Sequence, residues 1–153
     1  MSQLALEWAL LIIFLTAIII GAGVYAILIF RLRARRKRIE EEIFKKIGDK
    51  PLLQSLCTIT RGASRVPGVV ALGYNSIIYG SLILNFSGEI PLGKIKGVEV
   101  KKWLTGRGRY RKMIFGYKVL EIYFNSQIEK FFIKNSEVGL WEKEIKNLAP
   151  HLK

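Results

Sequence analysis

Histidine and cysteine are almost absent from this chain, which has one of each among its 153 residues. His151 is the third residue from the end, so a histidine-based catalytic triad or a histidine-rich metal site in the core is excluded. A single cysteine, Cys57, excludes an internal disulfide, which fits a reducing compartment. Cys57 also lies in an apolar segment without a histidine nearby in sequence, which favours a buried, inert thiol over a nucleophile.

Acidic residues are scarce as well, since 12 Asp and Glu stand against 25 Lys and Arg and give a formal net charge of +13. From Pro51 onward no two carboxylates form an evident acid–base pair. The motifs GxGxxG and GxxxxGK[ST] do not occur, and the glycines of TGRGRYRK lie between strand-like segments instead of opening a helix. The sequence therefore predicts a protein that is not an enzyme and that uses no cofactor and no metal.

Charged side chains are missing altogether from residues 8–30, WALLIIFLTAIIIGAGVYAILIF. As a helix this run would be about 34 Å long, enough to cross a hydrocarbon core of about 30 Å. A cleaved signal would need a basic start and a shorter apolar stretch, whereas Glu7 is the only charged side chain ahead of this run. We therefore predict a transmembrane anchor in residues 1–30, in preference to a signal peptide or a buried helix of a soluble protein.

Six basic residues follow this run within eight positions: Arg31, Arg33, Arg35, Arg36, Lys37 and Arg38. Because positive charge accumulates on the cytoplasmic side of a span, the N-terminus is expected outside the cell membrane and the rest in the cytoplasm. Each such residue contributes about 1 kcal/mol to contact with an anionic leaflet. We predict that this cluster contacts the membrane surface.

Small residues recur at a spacing of four within the apolar run, at Ala17 and Gly21 and at Ala22 and Ala26. This spacing permits close packing of two membrane helices, so a homo-oligomer through the transmembrane segment is one possible assembly. Alanine and glycine are common in such helices in any case, so a packing motif and small residues without a packing role are both open alternatives.

Residues 31–50 predict a basic juxtamembrane helix and a hinge. Ile39, Ile43 and Ile47 recur every four residues and give the helix a narrow apolar stripe. Gly48 and Pro51 then supply a helix stop.

From residue 51 to 153 the pattern changes to a mainly-β domain. Seven short apolar segments are separated by turn residues, and the predicted strands are 54–61, 68–74, 76–84, 87–91, 97–103, 113–124 and 128–134. A final amphipathic helix begins at Asn135 or Ser136, with an apolar face at Val138, Trp141 and Ile145. The predicted architecture is a seven-stranded sandwich or barrel closed by one C-terminal helix.

This order of elements resembles the pleckstrin-homology (PH) superfold, especially its GRAM and bacterial PH-like branches. The resemblance lies in GVVALGYNSIIYGSLI (68–83), EIPLGKIKGVEVKKW (89–103) and the segment from VLEIYF to the end of the last helix. It implies that Trp141 plugs the open end of the sheets. Phosphoinositide-binding members carry several basic residues on the first two strands and their loop, where this chain has only Arg61 and Arg65. The resemblance therefore points to a protein-binding scaffold or a subunit of a membrane assembly.

A basic, glycine-containing segment between the fifth and sixth predicted strands is the strongest polar feature of the domain. Its candidate anion- or partner-binding residues are Lys101, Lys102, Arg107, Arg109, Tyr110, Arg111 and Lys112. A solvated hairpin, an anionic lipid surface, an acidic protein and single-stranded nucleic acid all fit this composition. We expect a membrane-anchored scaffold or accessory subunit that meets lipid headgroups or an acidic protein, with a membrane-tethered nucleic-acid adaptor as the alternative.

Overall fold

The computed structural model describes residues 3–62, 64–105 and 112–152, and it comprises one long helix followed by a mainly-β domain. The chain divides into two compact units, one up to Arg35 and one from Arg36 onward.

The first helix, α1, runs from Gln3 to Ile47. Its most apolar part has a mean hydropathy of 2.7, and the helix is long and apolar enough to cross a membrane. It continues without a break through the basic cluster, as predicted. It ends where Gly48 adopts a φ of 77°, which glycine reaches without strain, and the Gly48 N–H donates to the carbonyl of Phe44 at 2.9 Å.

Seven antiparallel strands follow, all joined in one sheet with the order β4-β3-β2-β1-β7-β6-β5. Their bounds are β1 Leu53–Arg61, β2 Ser64–Leu72, β3 Ser76–Ser81, β4 Ser87–Pro91, β5 Ile95–Thr105, β6 Lys112–Phe124 and β7 Gln127–Lys134. Short 3-10 turns lie at Leu92–Lys94 and Pro150–Leu152. The predicted fold class, a membrane-length helix plus a seven-stranded β domain with a terminal helix, is confirmed.

Two strand boundaries differ from the prediction by three residues or more, and the others differ by at most two. β2 begins at Ser64 instead of residue 68, because Arg61 pairs directly with Ser64 across a tight turn that contains Gly62 at a φ of 58°. β3 ends at Ser81 instead of residue 84, because the Ser81 hydroxyl bonds the following backbone and turns the chain out of the sheet.

The terminal helix, α2, spans Asn135–Leu148 and packs Val138, Trp141 and Ile145 against the sheet. Trp141 is only 1% exposed, and its indole N–H donates to the Ser55 hydroxyl at 2.9 Å. Ser55 in turn donates to the Glu137 carboxylate at 2.5 Å. The buried ring therefore keeps its polar atom satisfied, as a tryptophan in a core requires.

Candidate membrane and partner interface

From Gly68 onward β2 is buried on both faces, and so is all of β3. One face, with Val70, Leu72 and Ile77, belongs to the main core. The other face forms a second cluster in which Val69, Ala71 and Ile78 surround Ile43 of α1, which is 2% exposed. The end of α1 that lies in the second compact unit is therefore an integral part of the domain.

Two glycines let this helix come close to the sheet. A Cβ atom placed on Gly80 would lie 3.0 Å from Cγ2 of Ile39, and one on Gly73 would lie 3.0 Å from Cγ2 of Ile47. Both distances are tighter than ordinary carbon contacts. The predicted stripe of three isoleucines is thus confirmed, and β2 and β3 are the surface it covers.

Polar contacts flank this apolar seam. Arg36 pairs with Glu40 at 2.8 Å, the i,i+4 pair that the spacing suggests. The same Glu40 oxygen accepts a hydrogen bond from the Gln54 side chain at 2.9 Å, which ties the helix to β1. A hydrogen bond from β1 therefore holds the helix to the domain in addition to the apolar contacts.

The six basic residues after the apolar run all lie on α1, and their side chains are exposed except for that of Arg35, which is half-buried. Because successive helical residues are rotated by about 100°, six residues in eight positions cover every side of the helix. The cluster is therefore a collar of positive charge around α1. Contact of the collar with a membrane surface stays a prediction.

The basic segment in the domain corresponds to the β5–β6 hairpin. Thr105 pairs with Lys112, the first residue of β6, and Lys102 lies directly opposite Lys118. Arg107, Arg109, Tyr110 and Arg111 lie outside the described residues. The pairing of Lys102 with Lys118 brings two positive charges side by side at this end of the hairpin, where they repel each other.

Lys101 is engaged within the domain. Its ammonium group lies 2.6 Å from Glu121 and 2.9 Å from Glu99, and it donates to the Tyr123 hydroxyl at 3.0 Å. The charge of Lys101 is thus already compensated by Glu99 of its own strand and Glu121 of β6.

Glu121 lies at the centre of this charged cluster on the outer face of the sheet and is only 6% exposed. It also pairs with Lys130 at 2.8 Å, because β6 places Glu121 directly opposite Lys130 of β7. Burial alone would raise the pKa of the Glu121 carboxyl, but hydrogen bonds from the two lysines hold it at about 2. The cluster depends on strand register, so reading the sequence did not find it.

Arg61 and Arg65 flank the β1–β2 turn, and both are exposed. The Arg61 guanidinium lies 5.1 Å from the centre of the Phe86 ring, and that of Arg65 lies 5.0 Å from the centre of the Phe132 ring. Both distances are within the range of a cation–π contact. The two arginines are thus held over aromatic rings at the same end of the domain.

A shallow cleft of about 470 Å³ separates the ends of β1 and β7 beside this turn. Arg61 and Lys130 line it together with Glu129, and Lys130 already pairs with Glu121. Glu129 accepts a hydrogen bond from the Tyr79 hydroxyl at 3.0 Å. The charge along the cleft is therefore largely balanced within the domain.

The cysteine and the histidine of this chain both have contacts within the domain. Cys57 is buried, and desolvation raises the pKa of its thiol. A ring nitrogen of His151 lies 2.8 Å from the carbonyl oxygen of Ile95. Within the described ranges, no group of three or more His, Cys, Asp or Glu side chains is arranged to hold a metal ion.

No family model and no curated protein matches this chain. Among solved structures, a crystal structure of the C-terminal domain of an unknown protein from Leishmania infantum is similar, with 13% identity and a TM-score of 0.49. The match covers 71% of this chain and 96% of that chain. A likeness at this level carries no argument about function.

Proposed function

We propose that this chain is a single-pass membrane protein with its N-terminus outside and a PH-like domain in the cytoplasm. The domain works without catalysis, as a scaffold or accessory subunit that presents a basic surface to anionic lipid headgroups or to an acidic protein. The observation that carries the proposal is α1, whose uncharged and exposed stretch is followed at once by the basic collar.

The energetics of α1 favour a bilayer over water. Fourteen of the 23 residues in 8–30 are Leu, Ile, Val or Phe. At about −0.3 to −0.6 kcal/mol each near the helix centre, they favour insertion by roughly 4–8 kcal/mol. A soluble protein would bury such a surface, yet Ile13, Ile19 and Phe30 are 65%, 70% and 74% exposed.

The topology of the domain supports the PH-like assignment. The sheet consists of β1–β4 and β5–β7, two groups of strands that are each consecutive in the chain, and the β1–β7 pair joins the two groups. A single C-terminal helix then covers the core with Trp141. This is the arrangement that the resemblance implies.

The docked end of α1 supports a domain held close to the bilayer. Phe30 ends the apolar run, and Arg36 begins the compact unit that contains the domain. Six residues of chain span at most about 20 Å in any conformation. A domain tethered this closely meets headgroups at a high effective concentration, so weak basic contacts suffice.

The orientation is tested with single cysteines in the full chain, labelled in intact cells by a membrane-impermeant thiol reagent. Ser2→Cys is expected to react, and Tyr74→Cys, at an exposed position of the domain, is expected to react only after lysis. The parent chain measures background from Cys57, whose burial makes it a poor target. The reverse pattern would overturn the orientation, and extraction of the chain by alkaline carbonate would overturn the anchor.

The contact is tested by replacing Arg107, Arg109 and Arg111 with Ser in the full chain, purified in mild detergent. The matched control replaces Lys94, Lys96 and Lys143, three exposed lysines elsewhere on the domain, so that net charge changes equally. Mass spectrometry then compares the lipids and proteins that co-purify.

At about 1 kcal/mol per charge, the arginine variant is expected to hold anionic lipid about a hundredfold more weakly, while the lysine control changes little. Selective loss of one acidic protein would identify the partner instead. Equal losses from both variants would show that only net charge matters. Nucleic acid that co-purifies and is lost with Tyr110→Ala would favour the tethered adaptor.

A further inference from the structure

The loop between β3 and β4 presents two large aliphatic side chains to solvent. Ile83 is 54% exposed and Leu84 is 43% exposed. Their neighbours anchor the loop, because Leu82 packs against the Ile43 cluster and Phe86 packs against the main core. An apolar tip is thus held between two fixed points.

The tip is also shaped so that its backbone needs little water. The buried Ser81 hydroxyl accepts the N–H groups of Ile83 at 3.2 Å and Leu84 at 2.9 Å. The Phe86 N–H donates to the Leu84 carbonyl at 3.0 Å, and the Leu82 N–H donates to a carbonyl of β2 at 2.9 Å. Because these donors are satisfied internally, moving the tip into an apolar medium avoids most of the cost of an unpaired N–H.

The tip lies at the end of the domain toward which the docked part of α1, residues 36–47, runs as its residue numbers fall. Ile47 of α1 faces Gly73 in the β2–β3 turn, whereas Ile39 faces Gly80 near the end of β3. Lower residue numbers in α1 thus approach the β3–β4 loop. Tyr74, which is 60% exposed, lies at the opposite end of the same strands, in the β2–β3 turn.

Positive charge accompanies the apolar tip. Arg61 stacks on Phe86 of this loop and is exposed. A long basic side chain beside aliphatic ones suits the bilayer interface, because its charge reaches phosphate groups while its stem stays among apolar atoms.

We propose that the β3–β4 tip, Ile83 and Leu84, inserts into the interface of the same bilayer that holds α1, with Arg61 at the headgroup level. The inference rests on the proposed function, since it needs the anchor in a membrane. Two aliphatic side chains would bind a free domain to vesicles only weakly. Within reach of a tether of six residues, the same contact is intramolecular and fixes which end of the domain faces the lipid.

The test uses the full chain reconstituted in vesicles of phosphatidylcholine with a minor fraction of phosphatidylglycerol. A polarity-sensitive fluorophore is attached at Ile83→Cys or Leu84→Cys, with Tyr74→Cys as the matched control at the other end of the strands. Cys57 stays in place, and the labelled parent chain gives its background. Lipids that carry a nitroxide on the acyl chain serve as quenchers, and resistance to carbonate extraction is measured on every sample.

We expect blue-shifted emission and several-fold stronger quenching at positions 83 and 84 than at position 74. Ile83→Ser is expected to reduce the quenching of a probe at position 84, because the tip then loses its remaining aliphatic side chain. Equal quenching at the three positions would overturn the proposal, as would a tip probe that remains water-exposed in a carbonate-resistant protein. Loss of carbonate resistance in the parent chain would instead refute the anchor itself, so the two failures are distinguishable.

Discussion

Replacing Ile43 with alanine tests whether the end of α1 belongs to the domain. Ile43 is 2% exposed and lies among Val69, Ala71 and Ile78 on the outer face of β2 and β3. The substitution removes three methylene-sized groups from this seam and keeps the helix intact, because alanine is the better helix former.

The expected cost follows from the burial. Three buried groups at about 0.8 kcal/mol each give about 2.5 kcal/mol, and the cavity that remains places the total in the range of about 2–5 kcal/mol. If the substitution undocks the helix, the sheet still keeps the main core beneath Trp141. The loss of stability can therefore not exceed the free energy of docking the helix.

The assay is urea unfolding of residues 36–153, followed by circular dichroism. Glu41→Ala is the control, since it introduces the same residue at an exposed position of the same helix and is expected to change stability by less than about 0.5 kcal/mol. Removing residues 36–50 altogether is expected to cost at least as much as Ile43→Ala. The reasoning fails if Ile43→Ala unfolds within about 0.5 kcal/mol of the parent, or if the truncated domain is equally stable.

Three further predictions concern the interior and the charged cluster. Trp141→Ala is expected to destabilise the fragment by about 3–5 kcal/mol, the range for losing a buried Trp, and a melting temperature within a degree or two of the parent would place α2 outside the core. Glu121 has a folded pKa of about 2 against an ordinary 4.5, so its ion pairs stabilise the fold by about 3 kcal/mol at pH 7. A carboxyl whose pKa is depressed in the folded state stabilises the fold above its unfolded pKa, and this stabilisation is lost as the pH falls through its folded pKa. The excess stability of the parent over Glu121→Gln is therefore expected to fall by roughly half by pH 3. A difference that does not change with pH would contradict this. Cys57 is expected to resist thiol reagents at pH 8 until urea unfolds the domain, and rapid labelling of the native protein would contradict its burial.

Local sequence patterns were sufficient to predict those features of the fold that depend on neighbouring residues in the chain. The helix stop at Gly48, the turn at Asn125 and Ser126 with φ values of 43° and 63°, and the start of α2 at Asn135 were all predictable. The start of β2 was not, because Pro67 and Gly68 are typical of a turn, whereas pairing with β1 places the segment from Ser64 in the sheet.

By itself the sequence determined a membrane-length helix, a positive collar, seven strands and a terminal amphipathic helix. Each of these follows from the length of an uncharged run, from period-2 or period-3.6 apolar patterns, or from a breaker residue, and none needs a distant contact. The apolar runs of β2 and β3 predicted strands, but they did not show that a second face of these strands is covered or by what.

Only the tertiary structure decided that Ile39, Ile43 and Ile47 cover that face, since these residues meet Gly80 and Gly73 from a different part of the chain. It likewise placed Lys101 and Lys130 on either side of Glu121 and brought Arg61 over the ring of Phe86. These contacts depend on strand register and on which faces stack. They arise because burying apolar surface and pairing a buried charge lower the free energy of one arrangement among many that the local pattern allows.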